Sequence, residues 1–236
     1  MENGAMLTLE NLLIRQGDFA LRADWSVDAG QIVALIGPSG EGKSTLLSCL
    51  AGFVSPRQGN IIWDGQSIIT KTPDLRPFAM VFQDHNLFPH LDAFRNVGLG
   101  RDPGLRLSNA DRAEVLAALE QVGLKGLEHR KPAQLSGGQM GRVALARALV
   151  QDRPVMLLDE PFAALGPALR ADMLALVRQI AQERGKTVLM VTHNPDDAHQ
   201  IADQIVLVAE GEAHPPIPTK EAFANPHPAL ARYLGA

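Results

Sequence analysis

A single cysteine, Cys49, stands in 236 residues, which excludes an internal disulfide framework and fits a reducing compartment. It lies in the apolar helical stretch Leu46-Leu47-Ser48-Cys49-Leu50, where it reads as a packed small hydrophobe and not a reactive thiol. Basic residues are in the minority: 22 Lys and Arg stand against 26 Asp and Glu, a formal net charge of -4. Nothing in that balance suggests a surface for nucleic acid. Long apolar runs are missing too. The longest, such as Gln31–Ile36 and Val155–Leu158, are strand-length, far short of the ~20 residues that cross a bilayer. Met1–Met6 is short and polar, unlike a signal peptide. The expectation is a soluble chain whose membrane role, if any, comes through a partner. There are no repeats and no low-complexity tracts, and His85, His90, His129, His199, His214 and His227 show no metal-ligand spacing.

What is present is 46% hydrophobic sequence, enough for one large α/β domain or one domain with a small insert. Unbroken apolar runs predict strands at Leu7–Leu9, Ile32–Ile36, Asn60–Trp63, Phe78–Phe82, Val155–Leu158, Thr187–Val191 and Gln204–Val208, as suits a sheet buried on both faces. Pro167 at a first-turn position, followed by Leu169, Met173, Leu176, Val177 and Ile180, predicts an amphipathic helix. Ser108-Asn109-Ala110-Asp111 predicts another that runs towards Gly123. The alternation is that of a mostly parallel sheet wrapped by helices. Roughly Gln83 to Leu135 has helical patterning with few strand signals and reads as a helical insert.

Gly37-Pro38-Ser39-Gly40-Glu41-Gly42-Lys43-Ser44-Thr45 follows the strand Ile32–Ile36 and opens a helix, Ser44–Leu50. This is a phosphate loop in its required strand–loop–helix setting. Its glycines let backbone N–H groups close around phosphate oxygens at the positive end of the helix. Lys43 is placed for the terminal phosphates, and the Ser44 hydroxyl for Mg²⁺. The strand Val155–Leu158 ends in Asp159-Glu160, at the carboxyl edge where open α/β sheets bind ligands. Asp159 suits the metal; Glu160, pointing elsewhere, suits the attacking water. The strand Thr187–Val191 brings His193 to the same edge, within reach of the γ-phosphate or the water.

Leu135-Ser136-Gly137-Gly138-Gln139 places a serine and two glycines just before a helix, Val143–Val150, a second anion-binding helix N-terminus in a chain with one phosphate loop. With this segment the sequence resembles the ATP-binding-cassette family over nearly its whole length, with the motifs in the family's order. The resemblance implies an α/β fold: a RecA-like P-loop NTPase core with an N-terminal antiparallel β subdomain and a helical insert. Residues 1–236 would form one domain, 1–83 and 150–236 making the nucleotide-binding core and 84–149 the helical part. It identifies Leu135–Gln139 as the signature motif, Gln83 as the Q-loop glutamine on metal or water, Asp159 and Glu160 as the Walker B acids, and His193 as the switch histidine. It further implies ATP and Mg²⁺, and a head-to-tail dimer in which Ser136 and Gly138 of one copy close on ATP held by Lys43 of the other. Membrane permease subunits and, indirectly, a periplasmic solute-binding protein would be partners at the cytoplasmic face of a bacterial inner membrane. Within the family, Asp84–Leu91, Asn96–Gly100 and Asp102–Leu107 are similar to ATPases that drive thiamine import.

Three positions depart from the family pattern. Gln16 stands where an aromatic residue usually stacks on adenine, with Phe19 nearby as a substitute. Gly141 falls inside the helix after the signature, at a cost of about 1 kcal/mol relative to Ala. Gly166 replaces the aspartate that bridges the dimer interface. Two other readings remain open at this level, a cassette ATPase acting on DNA or the ribosome and a P-loop kinase. The first normally carries two cassettes or a basic surface, and the second leaves the signature motif without a role.

Overall fold

The computed structural model describes residues 6–234, so the reading of residues 1–5 lies outside it. Eleven strands join in one sheet: β1 (Leu7–Gln16), β2 (Phe19–Val27), β3 (Ile32–Ile36), β4 (Gln58–Trp63), β5 (Gln66–Ser67), β6 (Phe78–Val81), β7 (Val155–Asp159), β8 (Thr187–Val191), β9 (Gln204–Ala209), β10 (Glu212–Ala213) and β11 (Ile217–Pro218). Their order is β5-β4-β1-β2-β10-β9-β3-β8-β7-β6, with β11 paired to β9. The run β9-β3-β8-β7-β6 is parallel, and every residue of β3 and β8 is buried. The strands β1, β2, β4 and β5 pair antiparallel and reach the parallel part through β10.

Sequence periodicity explains the antiparallel half once a bulge is allowed for. Leu7 and Leu9 face the core, then Leu12 and Ile14 do, so the inward parity flips. The flip sits at a register shift between Leu9 and Leu12, where Asn11 takes φ 45°. One extra residue in a strand has this effect, because side chains alternate with period two. In β2 the alternation is unbroken: Leu21, Ala23, Trp25 and Val27 are buried, and the Trp25 indole donates to the Ala213 carbonyl at 3.0 Å.

Among the described residues eight α-helices cover the sheet: α1 (Lys43–Ala51), α2 (Ala93–Gly98), α3 (Asn109–Gln121), α4 (Gly137–Val150), α5 (Pro167–Arg184), α6 (Pro195–Ile201), α7 (Thr219–Ala224) and α8 (Pro228–Leu234). Among the described residues none is long and apolar enough to cross a membrane. No strand interrupts the chain from α2 to α4, as the helical patterning there predicts. Ser108 and Asp111 form the expected capping box of α3. The helix expected at Val143–Val150 begins at Gly137 instead, so Gly137 and Gly138 lie in its first turn and not before it. Ser136 caps it: its Oγ accepts from the Gln139 N–H at 3.3 Å, and Gln139 Oε1 accepts from the Ser136 N–H at 3.0 Å. That reciprocal pair satisfies two otherwise free donors and offsets the poor helix propensity of two glycines.

Buried side chains also shape the approach to the insert. Asn96 is fully buried, and its amide accepts from the Phe88 N–H while donating to the carbonyls of Phe88, Leu91 and Asp92. Arg147 of α4 donates to the carbonyls of His85 and Asn86. The segment after β6 is thereby held in one shape without regular structure, since each of these bonds satisfies a backbone group the sheet leaves free. Cys49 is fully buried in α1, where burial pushes its thiol up to about 11. Arg76 closes that helix end by donating to the carbonyls of Cys49 and Leu50 at 2.8 and 2.7 Å.

Candidate functional site

Because β3, β6, β7 and β8 are parallel, their carboxyl ends meet at one edge, and each hands over one motif: the phosphate loop after β3, Gln83 after β6, Asp159-Glu160 at β7, His193 after β8. Gly37 takes φ +144°, and a Cβ there would lie 2.1 Å from the Val208 carbonyl oxygen. Gly42 takes φ +95°, and a Cβ there would meet the Phe19 ring at 2.3 Å. Phe19 at the start of β2 thus packs on the phosphate loop, whereas Gln16 ends β1 as an exposed residue.

Lys43 is 4% exposed and folds back on its own loop, donating to the carbonyls of Gly37 at 2.8 Å and Pro38 at 2.7 Å. Burial lowers its pKa, and Glu160, Glu41 and Asp159 oppose that shift. Ser44 donates to Asp159 Oδ1 at 2.7 Å. Burial raises the Asp159 pKa; the Ser44 bond counters it and Glu160 reinforces it. Glu160 follows with φ 46°, a strained value for a side chain with a Cβ. Its Oε1 lies 2.6 Å from His193 Nε2, with 13% of the Glu160 side chain exposed. Lys43, Ser44, Glu160 and His193 line one cavity of about 190 Å³ together with Gly40 and Gly42.

Other residues of the sequence reading are not gathered there. Gln83 is exposed and, among the described residues, makes no hydrogen bond to these groups. Ser136–Gln139 lies outside that cavity, its side chains spent on capping α4. Mg²⁺ fits the oxygen pair on Ser44 and Asp159: the ion takes one or two protein oxygens and completes its shell with water and phosphate.

Two residues that the sequence reading missed tie this edge of the sheet to its flank. Arg170, in the first turns of α5, donates to the carbonyls of Ala163 and Leu165, and its guanidinium lies 3.9 Å from Asp197. Asp197, 8% exposed, accepts from the Thr192 hydroxyl at 2.7 Å, next to His193. The backbone around Gly166 is therefore held by an arginine. Arginine at this distance past a helix start carries no motif of its own, which is why it escapes sequence reading.

Gly166 itself is the N-cap of α5 with φ -64° and ψ 160°, followed by Pro167. That backbone accepts any residue, and a Cβ there would meet nothing within 4 Å. Gly166→Asp should stabilise the chain by about 0.5 kcal/mol through capping and the helix dipole, raising Tm by about 1–2 °C. If the missing carboxylate limits coupling between two ATP sites, the same variant raises the Hill coefficient of ATP hydrolysis. An unchanged coefficient with a raised Tm would assign Gly166 a purely local role.

Comparison with known proteins agrees with this geometry. Residues 21–163 match the family described as ABC transporter. The chain belongs to the ABC transporter family. It is that family's ATP-binding, ATP-hydrolysing component, an ABC ATPase. It is 59% identical over 230 residues to the thiamine import ATP-binding protein ThiQ of Cereibacter sphaeroides, covering 98% of this chain and 100% of that one. It is 48% identical over 232 residues to the protein of the same name in Vibrio cholerae, covering 98% of each. Two solved structures share the ABC ATPase fold. One is the dimeric post-hydrolysis state of the ATP-binding cassette MJ0796 bound to ADP and Pi, with TM-score 0.78 and 31% identity over 91% of this chain and 99% of that one. The other is cbiO1 of Clostridium perfringens, part of the transporter complex cbiONQ, with TM-score 0.84 and 30% identity over 94% and 91%.

Proposed function

We propose that this ABC ATPase energises the import of thiamine or its phosphates. The observation that carries the reading is 59% identity along essentially the whole of both chains to a protein named for thiamine import. The cargo never meets this subunit, so no side chain of the catalytic edge reports on it; the likeness does.

In the proposed reaction the phosphate loop, Gly37–Thr45, binds ATP, with its N–H groups and Lys43 on the phosphates. Ser44 and Asp159 would hold Mg²⁺, which would supply positive charge against the phosphates. Water attacks the γ-phosphorus, and the bond to the β–γ bridging oxygen breaks. Glu160 takes the water's proton, and His193, whose Nε2 lies 2.6 Å from Glu160 Oε1, orients that pair. Gln83 approaches the metal or the water from β6. Residues 84–149 act as a helical subdomain on the core formed by 1–83 and 150–236. Ser136, Gly137, Gly138 and Gln139 of one copy meet the nucleotide held by another copy, so ATP binding favours a closed dimer and hydrolysis opens it. Phe19, packed on Gly42, offers the aromatic surface next to the loop that Gln16 lacks. Membrane permease subunits dock on the segment after Gln83, a periplasmic binding protein delivers cargo on the far side, and the ATPase sits at the inner membrane's cytoplasmic face.

The test is uptake of radiolabelled thiamine by cells that lack this chain and cannot synthesise thiamine. Wild type should restore uptake and Glu160→Gln should not. Unchanged thiamine uptake in the deleted strain, with loss of uptake of another small solute, would reassign the cargo and leave the ATPase reading intact.

A further inference from the structure

The last helix of the described chain reaches back into the catalytic edge. Within α8, Ala229 and Leu230 are 5% and 1% exposed, in a core cluster with Ile36, Ala198 and Leu207. That cluster joins α8 to β3, which carries the phosphate loop, and to α6, which follows His193. Arg232 pairs with Glu210, just past the end of β9, at the exposed surface of the helix. The helix is therefore docked on the elements that build the site.

From this platform Tyr233, the chain's one tyrosine, donates its hydroxyl to the backbone carbonyl of His193 at 2.6 Å, across 40 residues of sequence. The carbonyl lies beyond the end of β8 at Val191 and takes no part in its ladder. The residues on either side are held locally: Thr192 by Asp197, and the Asn194 N–H by the Thr192 hydroxyl. At His193 itself the backbone is held from α8. Burial, followed by the charge of Glu160, raises the phenol's pKa, so the hydroxyl keeps its proton.

We propose that Tyr233 is a positioning residue: its hydroxyl fixes the His193 backbone so that the imidazole Nε2 stays on Glu160. The chain Tyr233–His193–Glu160 then links the C-terminal helix to the group that handles the attacking water. The proposal rests on the reading of His193 and Glu160 as the catalytic pair. It gives Pro228–Leu234 a part in turnover.

The experiment is a double-mutant cycle on the full chain with His193→Ala, Tyr233→Phe and both together, read as kcat and KM for ATP. Tyr233→Phe keeps the ring that packs α8 and removes one hydrogen bond. It should lower kcat about five-fold with KM within two-fold, the size expected for one hydrogen bond. In the His193→Ala background the same change should have no further effect on kcat, because the group it positions is gone. Thermal melts of each variant separate a loss of folding from a loss of alignment. Wild-type kcat in Tyr233→Phe, or a five-fold loss that persists in full without His193, would overturn the proposal. Wild-type kcat in His193→Ala would instead overturn the catalytic reading on which it rests.

Discussion

Glu160→Gln should lower kcat by 10²- to 10⁴-fold while leaving ATP binding intact. The glutamine has the same shape and keeps an oxygen for His193 Nε2, which lies 2.6 Å from the carboxylate. It cannot take a proton from water, and a positioned general base contributes a factor of this order. Phosphate contacts come from the loop glycines and Lys43, and the change removes no donor among them. The variant should therefore collect in the ATP-bound, closed form. Phosphate release measured against wild type, with gel filtration in ATP and Mg²⁺, checks both statements. A dimer for Glu160→Gln only, with turnover lost, supports the ATP sandwich. Turnover within tenfold of wild type would remove Glu160 from the proton's path. If neither protein hydrolyses ATP or dimerises, the measurement belongs in membranes with the permease present.

Gly37→Ala should cost more than any other conservative change in the phosphate loop. A methyl group there would lie 2.1 Å from the Val208 carbonyl oxygen, and φ is +144°, where L-residues are strained. The clash is with backbone of β9, the neighbour of β3, so no side chain can swing aside. Strain and overpacking together come to about 3 kcal/mol or more, and Tm should fall by about 10 °C. ATP affinity should fall with it, because relief of the clash moves the carbonyls that hold Lys43. Gly65→Ala serves as a control: its φ is also positive, but nothing lies within 4 Å of the added Cβ. A melt for Gly37→Ala no lower than that of the control would mean that the loop has room the geometry denies.

The parts legible in the sequence were those written in local chemistry. The phosphate loop, Asp159-Glu160 and the capping box at Ser108 announce themselves within a few residues, and the parallel strands that present them are plain apolar runs. Of the unread parts, some were local and others depend on partners far along the chain. Only Leu7–Leu9 of β1 was legible, because the bulge at Asn11 breaks the period-two pattern by which Leu12 and Ile14 would have been recognised. The alternation of Leu21, Ala23, Trp25 and Val27 was available and identifies β2. The start of α4 was also readable, since Ser136 and Gln139 stand at capping-box spacing, but two glycines between them look like a loop. Arg170 on Asp197 and Tyr233 on His193 have no local signal at all; the fold alone brings them together.

The depth at which Cys49 is packed has a practical bearing on how motion in this molecule can be watched. A fully buried thiol whose pKa is pushed up to about 11 stays protonated at neutral pH, and the thiolate is the form that reacts with maleimides. For labelling purposes the native chain is silent. One cysteine introduced on the exposed face of α3, as in Leu116→Cys, where the native side chain is 46% exposed, would take a single dye per copy. Energy transfer between two such copies could then test whether the proposed pair opens and closes with each round of ATP.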